Sequence, residues 1–174
     1  LLERLRVAKR VVVMTGAGVS AESGVPTFRD AQTGLWARYS PTELATPEAF
    51  LRQPQLVWQW YKWRYELVAA VAPNPAHYAL VEMERLLKNF LLVTQNIDHL
   101  HHMAGSTAVL ELHGSIRRTK CVGHGHLHEG WPDDTAAQPP LCAICGTLMR
   151  PDVVWFGEAL PAEALQTAEE AAEQ

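Results

Sequence analysis

Three polar residues with groups suited to catalysis follow two short apolar runs. Asn96 and Asp98 come just after Phe90-Leu91-Leu92-Val93, and His113 comes just after Val109-Leu110-Glu111-Leu112. An imidazole whose pKa is near ~6.5 can act as a general base at neutral pH. Short apolar runs of this kind predict buried parallel strands, and such sheets bind ligands beyond the carboxyl ends of their strands. We therefore expect these three side chains to line a ligand site.

A glycine-rich turn follows another apolar run, Val11-Val12-Val13-Met14. Its sequence is Gly16-Ala17-Gly18-Val19-Ser20-Ala21. Glycines after a strand let the backbone approach a pyrophosphate, which predicts a dinucleotide site. A dehydrogenase would carry an acidic residue about 20 positions further on. That position lies near Trp36 and holds no acid, which argues against hydride transfer.

A metal site is predicted between positions 121 and 145, where all three cysteines lie. The pairs Cys121-x-x-His124 and Cys142-x-x-Cys145 have the spacing of two zinc knuckles. Three thiolates and one imidazole form a closed tetrahedral set, so the zinc would be structural. His126 and His128 are alternatives to His124 as the fourth ligand, and loss of the metal is a further alternative.

Tyr61 and Arg64 are three residues apart in an aromatic helix that follows Pro54, so their side chains share one face. An arginine fork binds a carboxylate through two hydrogen bonds, and a tyrosine hydroxyl supplies another donor. The alternative is an amphipathic helix whose arginine extends to solvent.

These residues need an α/β framework. Strands are predicted at 11–14, 90–93, 109–112 and 153–156, and helices after Pro54, from the Asn74 cap to about Lys88, and from Ala162 to Gln174. Alternating strands and helices predict a Rossmann-like, doubly wound parallel sheet. The expected domains are a nucleotide-binding domain (1–30, 90–116 and 150–174), a helical insertion (31–89) and a zinc module (117–149). No strand follows the last helix, so the C-terminal part of the sheet is expected to be absent from this chain.

Composition excludes several classes of protein. Hydrophobic residues make up 48% and charged residues 20% of the 174 residues, which excludes a disordered chain. No apolar run approaches the roughly 20 residues of a membrane span, and the first residues do not resemble a secretory signal. A net charge of -4 argues against nucleic-acid binding. Cysteines grouped as metal ligands favour a reducing cytoplasm, and we expect a monomer.

Five ordered motifs resemble those of the sirtuin family of NAD-dependent protein deacylases, over about residues 10–158. They are Gly16 to Asp30, Thr94-Gln95-Asn96-Ile97-Asp98, Leu112-His113-Gly114, the cysteine groups, and Val153-Val154-Trp155-Phe156-Gly157-Glu158. The family pattern has four cysteines, and His124 stands here in place of the second.

The resemblance implies roles for the first candidate site. His113 takes a proton from the ribose of NAD, Asn96 orients that ribose, and Asp98 holds the nicotinamide carboxamide. The acyl oxygen of the substrate attacks the ribose carbon that nicotinamide leaves, and the products are free lysine, nicotinamide and O-acyl-ADP-ribose. Phe28 shields the reactive face and Arg29 contacts the diphosphate. The implied cofactor-binding residues are Gly16, Ala17, Gly18, Ala21, Glu22, Phe28, Arg29, Gln95, Asn96, Ile97 and Asp98.

The resemblance also implies an acylated protein or peptide as partner. Tyr61 and Arg64 match the Tyr-x-x-Arg of the subgroup that accepts succinyl and malonyl lysine, and Ala45 matches a small residue of the enlarged acyl pocket. Acetyl groups are expected to be weaker substrates. The backbone of Val154, Trp155, Phe156, Gly157 and Glu158 is expected to bind the peptide as an added strand.

Two alternatives differ in standing. A dehydrogenase fails because the acidic residue is missing, and it has no use for zinc knuckles. A non-catalytic module that binds NAD, ADP-ribose or a partner through its zinc knuckle remains open. Histidines 77, 99, 101 and 102 are predicted to be surface or core residues, although the run from His99 to His102 lies close to Asp98 in the sequence.

Overall fold

The computed structural model describes residues 2–26, 38–132 and 138–173. In chain order, the described helices are α1 (Leu2–Val7), a 3-10 helix (Ala17–Ser23), α2 (Pro41–Leu44), α3 (Pro47–Arg52), α4 (Pro54–Ala69), α5 (Pro75–Leu86), α6 (Leu100–Ala104) and α7 (Ala162–Glu173). The strands are β1 (Val11–Thr15), β2 (Phe90–Thr94), β3 (Val109–Glu111), β4 (Gly114–Cys121), β5 (Leu127–Glu129) and β6 (Met149–Val153). The chain divides into a first unit (1–25, 71–113 and 160–174) and a second unit (26–70 and 114–159).

The first unit is built on a parallel sheet of strand order β1-β2-β3. Val11 pairs with Phe90 and Thr15 with Thr94, so β1 and β2 end at the same edge. Leu92 and Val93 are buried in β2, as expected for apolar runs at the centre of a parallel sheet. The three strands predicted in this part of the chain are confirmed, and their carboxyl ends lie at one edge.

Helix α5 begins where the sequence predicts. Asn74 is its N-cap and accepts a hydrogen bond from the backbone N–H of Ala76 (2.9 Å), with Pro75 in the first turn. The Asn74 amide also donates to the carbonyl of Val19 (2.7 Å) and to Ser23 Oγ (3.0 Å). These bonds fix α5 to the 3-10 helix that follows the glycine turn.

The second unit combines α2, α3 and α4 with an antiparallel sheet of order β5-β4-β6. Its core contains Trp58 of α4, which packs with Cys121, Cys142 and Met149. The Trp131 ring lies 4.5 Å from Trp58, and its indole N–H donates to the Ile116 carbonyl (2.6 Å). The sheet and α4 therefore share one hydrophobic core.

Two sequence-based expectations differ from the structure. The strand predicted at 153–156 ends at Val153: β6 covers Met149–Val153 and pairs antiparallel with β4, while Phe156 and Gly157 form a turn. Residues 150–159 consequently belong to the second unit. Residues 71–89, expected in the helical insertion, belong to the first unit because Asn74 ties α5 to the 3-10 helix.

No helix in the described part of the chain is long and apolar enough to cross a membrane.

Candidate active site and metal centre

Ser20 is the centre of a buried hydrogen-bond network beyond the ends of β1 and β2. Its hydroxyl donates to Asp98 Oδ2 (2.6 Å) and accepts from the Asn96 amide (3.1 Å). His77 Nε2 lies 3.5 Å from the same hydroxyl. Ser20, Asn96 and Asp98 are all buried. Two residues predicted for the site, Asn96 and Asp98, are thus brought together by a third that the sequence did not single out.

Local backbone contacts hold these two side chains in place. The second oxygen of Asp98 accepts from the backbone N–H of Leu100 (2.9 Å), at the start of α6. The backbone N–H of Asn96 donates to Thr94 Oγ1 (3.1 Å), and Thr15 Oγ1 donates to the same oxygen (2.9 Å). The threonines that end β1 and β2 therefore fix the direction in which the chain leaves the sheet.

His113 follows β3 and is partly exposed. Its Nδ1 lies 2.8 Å from the backbone carbonyl oxygen of Gln95. A carbonyl can only accept a hydrogen bond, so this contact requires a proton on Nδ1. The neutral ring then carries its lone pair on Nε2, which is the form that a general base needs.

Two buried histidines, His77 and His101, contact residues of the Ser20 network. The rings of His77 and His101 are 4.8 Å apart, and both are almost fully buried. Thr15 Oγ1 lies 3.0 Å from His101 Nε2. Burial lowers the pKa of His77, and burial together with the neighbouring His77 lowers the pKa of His101 to about 4. Both rings are therefore neutral near pH 7.

The predicted cofactor-binding residues lie around this network where they are described. Ala17, Gly18, Ala21 and Glu22 are exposed in the 3-10 helix after Gly16, and Gln95 is exposed beside the partly buried Ile97. Phe28 and Arg29 lie outside the described residues. The glycine turn and the exposed backbone near it leave room for a polar ligand to approach.

In the second unit, Tyr61 and Arg64 are both buried on α4. The Arg64 guanidinium lies 5.1 Å from the centre of the Trp60 ring. Burial raises the pKa of Tyr61 and lowers the pKa of Arg64, although the neighbouring Tyr61 opposes the second effect. The arginine does not extend to solvent as the amphipathic-helix alternative requires.

The segment predicted to bind peptide, residues 154–158, is held in place by contacts with the Arg150 side chain. Its guanidinium donates to both carboxylate oxygens of Glu158 (2.5 and 2.8 Å) and to the Val153 carbonyl (2.8 Å). It also stacks on the Trp155 ring, 3.2 Å from the centre. Glu158 Oε2 accepts from the Trp155 backbone N–H (2.8 Å). Both Arg150 and Trp155 are buried, while Phe156 and Gly157 are exposed.

The predicted small residue Ala45 contacts the same segment. Its carbonyl accepts a hydrogen bond from the Phe156 backbone N–H (2.9 Å), and its side chain is buried. Tyr61 lies nearby, with its ring 6.3 Å from that of Trp155. Ala45, Tyr61 and the segment from Val154 to Glu158 are therefore neighbours within one unit.

A candidate metal centre is formed by Cys121, His126, Cys142 and Cys145, whose ligand atoms all lie within 4.8 Å of one another. His126 Nδ1 is 3.5 Å from Cys121 Sγ and 3.6 Å from Cys142 Sγ, and the Sγ atoms of Cys121 and Cys145 are 3.6 Å apart. Zinc bound at about 2.3 Å to sulfur and about 2.0 Å to nitrogen in a tetrahedron separates its ligands by about 3.5–3.8 Å. The side chains already have the geometry of a zinc site.

The fourth ligand differs from the first prediction. The sequence spacing favours His124, whereas the ligand group contains His126, the alternative that the sequence leaves open. His124 is stacked on His126 with ring centres 5.5 Å apart. Gly125, whose φ is 68°, allows the turn that brings His126 back. The His126 backbone N–H donates to Cys121 Sγ (3.2 Å). Hydrogen bonds from Thr147 lower the pKa of Cys145 to about 5, which favours a thiolate ligand.

A family model described as the Sir2 family matches residues 16–174 of this chain. The chain belongs to the Sir2 family. The resemblance stated from the motifs is thereby confirmed at the level of the family, as is the Rossmann-like α/β fold.

Curated Sir2-family relatives are similar along most of the chain. The NAD-dependent protein deacylase 2 of Pyrobaculum aerophilum is 55% identical over 165 residues, which cover 95% of this chain and 66% of the relative. An NAD-dependent protein deacylase of Thermus thermophilus is 53% identical over 174 residues, 97% of this chain and 67% of the relative. The chain spans about two thirds of the length of the curated relatives it matches.

Solved structures of Sir2 proteins are similar to this chain in fold. A Sir2 homologue in complex with NAD matches with a TM-score of 0.88 and 48% identity, over 99% of this chain and 67% of the other. A Sir2 protein bound to acetylated peptide matches with a TM-score of 0.83 and 32% identity, over 99% of this chain and 70% of the other.

Four polar residues around the candidate sites were not assigned to them from the sequence: Ser20, His77, Arg150, and Asn74, whose side chain also bonds to the 3-10 helix. Ser20 lies within the glycine-rich turn, and a hydroxyl in such a turn was the available signal. His77 and Arg150 gave none, because their partners Ser20 and Glu158 are set by the fold.

Proposed function

We propose that this protein is an NAD-dependent protein lysine deacylase. The observation that carries the proposal is the contact between His113 Nδ1 and the Gln95 carbonyl, which leaves Nε2 as a base at the edge of the sheet where Asn96 and Asp98 lie. Family membership and the relatives named NAD-dependent protein deacylase support the same conclusion.

The described residues of the first unit fit NAD as a co-substrate. The backbone after Gly16 would hold the diphosphate, since the N–H groups at a helix start attract anions. Asp98 and Asn96, fixed by Ser20, would bind the carboxamide and the ribose of the nicotinamide half. Because Ser20 holds both side chains before any ligand arrives, little reorganisation is needed on binding.

The proposed reaction transfers the acyl group to ADP-ribose. The bond between nicotinamide and the ribose breaks, and a bond forms between that ribose carbon and the acyl oxygen. His113 removes a proton from a ribose hydroxyl, which then attacks the acyl carbon. The bond between the acyl carbon and the lysine nitrogen breaks, and lysine leaves as the free amine. One water molecule then adds to the former acyl carbon, whose bond to the oxygen on the first ribose carbon breaks. The products are lysine, nicotinamide and O-acyl-ADP-ribose.

The reaction is tested by incubating the protein with acetyl-, malonyl- and succinyl-lysine peptides, with and without NAD. Mass spectrometry should detect the O-acyl-ADP-ribose that matches each peptide, only when NAD is present. Deacylation without NAD, or reduction of NAD without loss of an acyl group, would contradict the proposal.

Acidic acyl groups are the proposed preferred substrates. A succinyl or malonyl carboxylate can accept two hydrogen bonds from Arg64 and one from Tyr61. Both side chains are buried, and an acetyl group has no carboxylate that could accept hydrogen bonds from them. Deacetylation is therefore expected to be weaker.

We expect Arg64→Met to reverse this preference. Losing a buried charge-assisted hydrogen bond costs about 2–3 kcal/mol, so kcat/KM for succinyl-lysine should fall by roughly 30- to 150-fold, while deacetylation should change little. Lys62→Met, on another face of the same helix, is the matched control. If the Arg64→Met enzyme still favoured succinyl over acetyl lysine, the acyl pocket would lie elsewhere.

The metal centre fits one structural zinc ion, with His126 proposed as the fourth ligand. Its donor set has three sulfurs and one nitrogen, which zinc prefers. Four protein ligands leave no open position, so the ion would stabilise β4, β5 and the loop carrying Cys142 and Cys145.

The grouping of Cys121, Cys142 and Cys145 as metal ligands supports a reducing compartment, and a cytoplasmic location is proposed on that basis. Acylated lysine proteins or peptides are the proposed partners. A monomer that binds neither nucleic acid nor membranes stays a prediction.

A further inference from the structure

A second group of possible metal ligands lies in the first unit, and the proposed deacylase chemistry does not use it. His99, His102 and Glu111 place one ligand atom each within 4.8 Å of the others. His102 Nε2 is 3.6 Å from Glu111 Oε1, and His99 Nδ1 is 3.9 Å from the same oxygen. Two imidazole nitrogens thus approach one carboxylate oxygen.

The separations are close to those around a bound cation. An ion at about 2.0–2.2 Å from nitrogen and oxygen in a tetrahedron separates its ligands by about 3.4 Å. Small rotations of the two rings, whose centres are 4.6 Å apart, would close the remaining few tenths of an ångström. The carboxylate is only 11% exposed, and the two imidazoles are about one third exposed. The ligands are therefore held close together while an ion can still enter from solvent.

The backbone at His99 supports a role for this side chain. Among the residues that the structure describes, His99 is the one non-glycine residue with a positive φ, at 67°. Glycine adopts this conformation without penalty, whereas other residues pay roughly 1 kcal/mol or more. The strained position directly precedes α6 and brings the ring of His99 next to that of His102.

We propose that His99, His102 and Glu111 form a binding site for a borderline divalent transition-metal ion, of the class of Zn²⁺, Co²⁺ and Ni²⁺. Two imidazoles and one carboxylate suit these ions, and hard cations such as Mg²⁺ prefer all-oxygen sites. Three protein ligands leave at least one position for water. The site contains no sulfur, so it differs in kind from the cysteine centre of the second unit.

Cobalt is the probe that separates the two centres. The protein, with zinc already at its cysteine centre, is titrated with Co²⁺ and followed by visible absorption and calorimetry. The site should take up one Co²⁺ with ligand-field bands and without the intense thiolate-to-cobalt bands of a cysteine site. Thiolate bands that account for all the bound cobalt would overturn the proposal.

Three variants assign the ligands. His102→Gln and Glu111→Gln should each weaken Co²⁺ binding by about tenfold or more, because each removes one ligand. His99→Gly should weaken it similarly while relieving the backbone strain. An unchanged unfolding transition of this variant shows that a loss of binding does not come from failure to fold. His128→Gln, which changes an exposed histidine of β5, is the control. Affinity unchanged in the three ligand variants would overturn the site.

Discussion

His101 is a buried titratable group that no step of the proposed reaction requires, and its main effect is on stability. Burial and the neighbouring His77 lower its pKa to about 4, and Asp98 and His102 are the other ionisable groups that act on it. Its contact with Thr15 at the end of β1 ties α6 to the sheet. Burial of the ring disfavours its charged form in the folded protein.

We predict that the folded protein loses stability as the pH falls from about 6.5 to about 4. Between these pH values the His101 side chain is protonated in the unfolded chain and neutral in the folded chain. The free energy of unfolding therefore decreases as the pH is lowered, and it levels off below about pH 4. The loss from this residue is at most about 3 kcal/mol. Urea unfolding at a series of pH values measures it.

His101→Gln is the variant that isolates this effect, because glutamine keeps a polar group and does not titrate. Its stability should depend less steeply on pH between 6.5 and 4 than that of the parent protein. His128→Gln should leave the slope unchanged. Equal slopes in the parent and in His101→Gln would show that other groups cause the acid sensitivity.

At the scale of elements, the turn into β4 depends on Gly114. Its φ is 75°, and a Cβ at this position would lie far inside contact distance of the Asp152 carbonyl. Gly114 pairs with Val153 at the end of β6, so the two strands approach closely here. Only glycine permits that approach, and it fixes where the chain turns directly after His113.

We predict that Gly114→Ala destabilises the protein by more than about 3 kcal/mol, because strain and a backbone clash add. Gly130 offers a matched control, since its φ is 79° and nothing lies within 4 Å of the Cβ position. Gly130→Ala should cost only about 1 kcal/mol, the conformational penalty alone. Chemical unfolding of the two variants compares them, and equal losses would mean that the clash is relieved at no cost.

Secondary-structure elements with a local sequence signal were predictable, whereas the pairing of strands distant in sequence was not. Apolar runs predict β1, β2 and β3, and the Asn74-Pro75 pair predicts the start of α5, because each signal is local. The run at Val153 also predicts a parallel strand, wrongly, because a buried run has the same composition in either kind of sheet. Pairing with β4 makes this strand antiparallel, and that pairing joins residues distant in sequence.

At the scale of the whole molecule, ligand groups were predictable to the extent that chain order determined them. Asn96, Asp98 and His113 follow strands of one parallel sheet, so their proximity to the glycine turn followed from topology. The choice between His124 and His126 depended on the path of a short turn, and spacing alone favoured the wrong one for the observed ligand group. The position of Ser20 at the centre of the network could not be predicted, because its three hydrogen-bonding partners are distant in sequence.

His113 is proposed to act as a base towards the ribose of bound NAD. The most direct measurement compares O-acyl-ADP-ribose formation by the parent protein, His113→Ala and the control His128→Ala, each checked for an unchanged unfolding transition. Because a general base contributes about a hundredfold or more to the rate, His113→Ala should lose nearly all product formation while the control keeps it. Turnover by a folded His113→Ala protein at the parent's rate would show that His113 is not the base.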